Sequence, residues 1–210
     1  MFEVFSPPRR RVVAAMVAGL VAAGVTVAGC SSPDDQGESG VDVSAPPTNV
    51  TWQQVGPAQA PKADQGPVKT GSSGEAVGFE HSPQGVGLAA MNTPLRVALA
   101  GDQSWPVVIR ESVVPNRARD ELVNDRAAYQ VTEFDRDLAP QLAGYRITDY
   151  TDAAAGVEVF ASYSDQSKSS SFYQMVWSSG DWKLDLSADK AGTVSSIDQF
   201  PDEMVKVAKA

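Results

Sequence analysis

The sequence predicts an α+β domain in which amino-terminal helices pack on an antiparallel sheet, and the order of its two hydrophobic periods carries that prediction. Between Ser82 and Tyr129 apolar residues recur at spacings of three and four, whereas beyond Gly144 the period drops to two. A further observation concerns the amino-terminal part: an apolar run from Val12 to Ala28, then a stretch to Val77 poor in large apolar residues. The chain is therefore divided into a signal segment over residues 1–29, a flexible tether over 30–77 and a globular domain over 78–210. The last is long enough for one core.

Order is expected to begin near Gly78. Ser82 followed by Pro83 makes an N-cap and first-turn pair. Leu88, Met91, Leu95 and Leu99 then lie on one face of a helix reaching about Ala100, with a kink or break at Pro94. Gly85 and Gly87 suit a close approach by a neighbouring backbone. Trp105 to Val114 is read as a second helix although Val107, Val108 and Ile109 favour a strand. Asn116 to Tyr129 reads as an amphipathic third, its charges forming a solvated face.

The strands come next. Tyr145, Ile147 and Asp149 alternate with Arg146, Thr148 and Tyr150, and Val157, Val159, Ala161 and Tyr163 form a second alternating set. Asp165 to Ser171 is polar and serine-rich, hence a loop. The run from Phe172 to Trp177 turns through Ser178-Ser179-Gly180-Asp181 into Trp182 to Leu186, which is a hairpin by its turn chemistry. Pro201 to Lys209 is expected to close the chain as a short helix.

The stretch from Ser31 to Val77 is rich in proline, glycine, serine and charge, and too poor in apolar side chains to offset its ordering entropy. Thr51-Trp52-Gln53-Gln54-Val55 is the exception and is expected to dock back on the domain.

Three arginines, Arg9 to Arg11, precede the apolar run, and Val27-Ala28-Gly29-Cys30 ends it with the chain's one cysteine. This resembles a bacterial lipoprotein signal, in which the cysteine sulfur takes a diacylglyceryl group and the preceding segment is removed. The resemblance implies lipid attachment at Cys30 and a mature chain on the outer face of the cytoplasmic membrane. The alternative is an uncut transmembrane helix, for which seventeen residues is a short span. Cleavage leaves 14 basic against 25 acidic side chains, a formal net charge of −11. Scattered cations on so acidic a chain argue against a nucleic-acid partner. A single cysteine excludes an internal disulfide.

Two segments of the domain carry a further resemblance. Gly78 to Met91, containing Phe79-Glu80-His81-Ser82-Pro83, is similar to the opening of an uncharacterised domain of actinobacterial lipoproteins and of proteins encoded on conjugative elements. Val176-Trp177-Ser178-Ser179-Gly180-Asp181-Trp182-Lys183-Leu184 resembles the closing strands of the nuclear transport factor two-like superfamily, which includes ketosteroid isomerases. That superfamily implies a cone-shaped, curved sheet wrapped round helices and a cavity put to enzymatic, ligand-binding or purely structural use. Assembly subunits of type IV secretion and conjugation machines carry such a domain outside the membrane.

Little chemistry is visible. One histidine, His81, and one thiol give no metal set, and no cofactor is expected. Asp149 with Tyr145, on one face of a strand, is the best pair for a ketosteroid-isomerase-like base and oxyanion donor, with solvent-facing residues as the alternative. Trp105, Tyr145, Tyr163, Phe172, Trp177 and Trp182 suit a core, and some of them a pocket. The reading is a non-catalytic, lipid-anchored binding or scaffold module with an envelope protein partner, of a conjugation-like apparatus. Its alternative is a lipoprotein whose aromatic-lined cavity holds a small apolar ligand; an enzyme comes third. A packed core with an exposed apolar patch speaks for the first, a pocket for the second.

Overall fold

The computed structural model describes residues 41–131, 134 and 136–208. Cys30 and the signal segment lie outside the described residues. Among those described are three helices, a six-stranded antiparallel sheet and two small hairpins.

The first departure from expectation is the tether, whose second half is folded. Strands β1 (Thr51–Val55) and β2 (Ala58–Lys62) pair as one hairpin, and β3 (Lys69–Thr70) with β4 (Ala76–Val77) as another. Val50, Ala58, Ala60, Ala63 and Ala76 are buried. Trp52 packs against the core, as the docking expectation requires. The cause lies in helix α1 (Pro83–Ala98), where Gly85 to Thr93 is buried without interruption. A helix buried all round needs cover on both sides. The sheet supplies one cover, and β2, packed on the opposite flank, supplies the other.

Buried polar groups fix this second interface. Asn92 Nδ2 donates to the Pro61 carbonyl at 2.8 Å and its Oδ1 accepts from Arg96 Nε at 3.1 Å. The Arg96 guanidinium, 5 % exposed, donates onward to the Gly74 carbonyl and to Gln53 Oε1. Every partner of these two side chains outside α1 comes from residues 53–74.

Helix α1 starts as expected, with Gly85 N–H donating to Ser82 Oγ at 3.1 Å. It does not break at Pro94. The helix runs on to Ala98, and the missing N–H leaves the Ala90 carbonyl without its usual helical donor. Helices α2 (Trp105–Ser112) and α3 (Arg117–Ala127) come after it, the latter capped by Asn116. The α3 charges face solvent except for the half-buried Arg119 and for Arg126, which is buried and donates to Asp102 Oδ1 at 2.7 Å.

The sheet is built from β5 (Gln141–Tyr150), β6 (Ala154–Ser162), β7 (Lys168–Ser178), β8 (Asp181–Asp185), β9 (Val194–Ile197) and β10 (Val205–Lys206). The first four form a meander, β10 lies on the outer side of β5, and β8 and β9 share one edge of β7 in succession. Ser179 and Gly180 both have positive φ, 56° and 79°, as a two-residue type I′ turn requires. Ala155, Val157, Val159 and Ala161 of β6 face the helices. On the other face Phe160 packs edge-on against Phe200.

Two expectations fail here. Residues 168–171 belong to β7 rather than to a loop. The closing helix is also absent: Val205 and Val207 are buried with Lys206 exposed between them, a period of two, so the segment joins the sheet as β10.

Candidate functional site

The two segments that carry the domain resemblance meet in space. Asp181, at the turn into β8, accepts from Gly78 N–H at 2.7 Å and Phe79 N–H at 3.0 Å, and Trp182 Nε1 donates to the Glu80 carbonyl at 2.9 Å. The fully buried Trp182 packs with Trp177 and Tyr150, and His81 stacks on Trp177 with ring centroids 4.0 Å apart. His81 Nε2–H donates to the Asp152 carbonyl. These contacts make a clamp that holds the approach to α1.

The Asp149 and Tyr145 pair does not form. A β-bulge between Ile147 and Asp149 inserts a residue and reverses the facing of the rest of the strand, so Tyr145 points into the core and Asp149 to the exposed face. There Asp149 Oδ1 accepts from Gly156 N–H at 3.1 Å and Oδ2 from Thr148 Oγ1 at 3.0 Å, filling the gap the bulge leaves in the ladder. Asp149 and Phe172 border a hollow of about 360 Å³ on that outer face, with Glu158 and Lys190. Tyr145 is fully buried, its ring against Gly87, its hydroxyl without a partner. Burial pushes that hydroxyl's pKa far above its ordinary value.

What the fold does assemble is a cavity of about 260 Å³ between the second half of α1 and the inner face of the sheet. One wall is apolar: Met91, Pro94, Leu95 and Ala98 from α1 and Leu99 at its C-cap, with Leu138 and Pro140 from the approach to β5. The facing wall is hydroxylic. Tyr163, Ser169, Ser171 and Tyr173 stand on the helix-facing side of β7 and the end of β6, and Tyr163 Oη lies 3.3 Å from Ser169 Oγ. Ser169 is buried. Burial raises the Tyr173 pKa; a hydrogen bond to Ser171 opposes this and the neighbouring Tyr163 adds to it. Tyr173 is therefore a neutral hydrogen-bonding group at physiological pH. Among the described residues no charged side chain lines the cavity.

Of the aromatic residues named from sequence, Tyr163 reaches this cavity. Trp105, Tyr145, Trp177 and Trp182 pack in or against the core. Ser169 and Ser171 escape a reading that takes the serine run as a loop, and Tyr173, read within the following strand, is not singled out by it. The signal that identifies them is a period of two in hydroxyl groups.

A wider groove, about 520 Å³, separates the β1–β2 hairpin from the start of β5 and is lined by Trp52, Gln54, Gln141 and Arg136 among others. The smaller cavity is the better candidate, since it opposes an apolar wall to a few convergent polar groups. Among the described residues no cluster of three or more His, Cys, Asp or Glu side chains could hold a metal ion, and no helix is long and apolar enough to cross a membrane.

Comparison with known proteins returns one family. Its model, described as a domain of unknown function, DUF8175, matches residues 17–202. No curated protein and no solved structure matches the chain. The matched stretch runs from the apolar segment through both hairpins, α1 and the sheet as far as β9, which takes in the residues that composition assigns to a tether. This chain belongs to the DUF8175 family.

Proposed function

We propose that this chain is a lipid-anchored, extracytoplasmic, non-catalytic binding module whose cavity between α1 and the sheet takes a small, uncharged molecule with an apolar body and a hydrogen-bonding end. One observation carries the binding reading: four hydroxyl groups converge opposite an apolar helix wall in a space that no charged side chain lines among the described residues. A charged ligand would lose hydration there without gaining a counter-charge. Catalysis is disfavoured because the bulge in β5 separates Asp149 from Tyr145.

A helix laid across the inner face of a curved antiparallel sheet, with a cavity beneath it, also supports the nuclear transport factor two-like reading. The Val27-Ala28-Gly29-Cys30 sequence after a basic and then apolar segment supports the anchor.

Two measurements test this. With p-cresol as probe, NMR titration is expected to shift the Tyr163, Ser169 and Tyr173 resonances, and Ala98→Trp, a change at an exposed helix position on the cavity rim, to weaken binding roughly tenfold with the fold unchanged. Shifts confined elsewhere, or equal affinity in Ala98→Trp, would overturn the cavity assignment. For the anchor, cells fed labelled palmitate are expected to label the wild-type chain, and Cys30→Ala to abolish both label and cleavage. A wild-type protein carrying no label and retaining residues 1–29 refutes the anchor.

A further inference from the structure

The sheet has one edge that nothing covers among the described residues. On β8, Val113 bridges Leu184 and Val114 N–H donates to the Leu184 carbonyl at 2.9 Å, while β10 covers part of β5. Strand β9 pairs with β7 alone among the described elements. Its first three residues, Val194, Ser195 and Ser196, are exposed, Val194 to 62 %.

The direction of its backbone groups is set by the register. Phe172 N–H donates to the Thr193 carbonyl at 3.0 Å, and the pairs Ser171 with Val194, Ser170 with Ser195 and Ser169 with Ser196 succeed one another in antiparallel order. Hydrogen-bonded and non-hydrogen-bonded pairs alternate in such a ladder, so Thr193, Ser195 and Ile197 address β7. Val194 and Ser196 address solvent, each with a free N–H and a free C=O.

Natural edges are guarded by charge, proline, bulges within the strand or short length, and of these β9 has only the last, at four residues. Ala191 to Ile197 contains neither a charged residue nor a proline. The bulge opposite Phe172, formed by Gly192 at φ 76° and Thr193, precedes the strand and leaves β9 itself regular.

We infer that this edge pairs with the same edge of a second copy of this chain. Around a two-fold axis through Ser195, Val194 of each copy exchanges two hydrogen bonds with Ser196 of the other, and the two sheets become continuous. Charge selects this partner. The chain's net charge of −9 opposes self-association over most of the surface, and the seven-residue neutral strip removes the opposition here. Lys190 and Asp198 flank the strip, and the antiparallel arrangement brings Lys190 of one copy to the end where Asp198 of the other lies.

In this pairing the two Ser195 residues form a non-hydrogen-bonded pair with Cα atoms about 4.5 Å apart, within disulfide range. Full-length Ser195→Cys, purified in detergent and oxidised, is expected to give a covalent homodimer at least fivefold above wild type and above Ser179→Cys, a control at the exposed β7–β8 turn. Ser196→Pro removes only the outward N–H. It is expected to keep the melting temperature and weaken dimerisation, measured by native mass spectrometry, roughly tenfold or more. A Ser195→Cys crosslink no stronger than the control, a crosslink made instead to a different protein in cells, or undiminished dimerisation of Ser196→Pro would each overturn the proposal.

Discussion

A chain that begins at Gly78, where composition places the onset of order, is expected not to fold cooperatively, whereas one beginning at Val41 should melt as the longer protein does. Deleting residues 41–77 removes the buried side chains of Val50, Ala58, Ala60, Ala63 and Ala76 and uncovers a flank of α1. It also strips Arg96 of the Gly74 carbonyl and Gln53 Oε1, and Asn92 of the Pro61 carbonyl. Each large apolar side chain of that flank returned to water costs about 1.5–3 kcal/mol. Domains of this size are stable by about 5–15 kcal/mol in all, so the uncovered helix flank and the lost hydrogen bonds together consume most of that margin. Thermal melts recorded by near-ultraviolet circular dichroism check this. A sharp transition for the Gly78 chain within a few degrees of the Val41 chain would show the hairpins to be accessory.

The second large effect concerns Gly87, and its sign is opposite to what helix propensity alone gives. Replacing a glycine inside a helix by alanine ordinarily stabilises by about 0.5–1 kcal/mol. Here a Cβ would stand 2.2 Å from Tyr145 Cζ, and that ring is fully buried, so it can move only by displacing its core neighbours. Gly87→Ala is therefore expected to destabilise by about 1–3 kcal/mol, and Gly87→Val by more. Tyr145→Phe isolates the cause. It keeps the ring and removes a buried hydroxyl that has no hydrogen-bond partner, so it should be neutral or stabilising, yet it should not rescue Gly87→Ala. Urea unfolding of the three variants decides it, and a Gly87→Ala protein more stable than wild type would refute the packing argument.

These cases mark where the sequence is legible. The helices and the strands β5 to β8 announce themselves by period, because each buries one face or stripe against the same core. Residues 41–77 do not, since their buried positions are small, Ala58, Ala60, Ala63 and Ala76, and their anchors are polar partners on another element. The available clue lies in α1, where Val86-Gly87-Leu88-Ala89-Ala90-Met91 has no polar side to give to water.

The site is hidden for a different reason. Alternation assigns Tyr145 and Asp149 to one face, but a bulge between them reverses the parity, and single-residue insertions of this kind leave no mark in hydropathy. Ser169 and Ser171 are hidden because serine in a row resembles a turn; only their placement with Tyr173 beside Tyr163 under α1 reveals a wall.

The clasp between Asp181 and the backbone of Gly78 and Phe79 joins residues 103 and 102 positions apart in the chain. As the polypeptide emerges amino terminus first, α1 appears long before the carboxylate that secures its leading end. The early half must wait, unlatched, until nearly all of the sheet has been delivered, so assembly of this domain is governed by its latest-arriving hairpin.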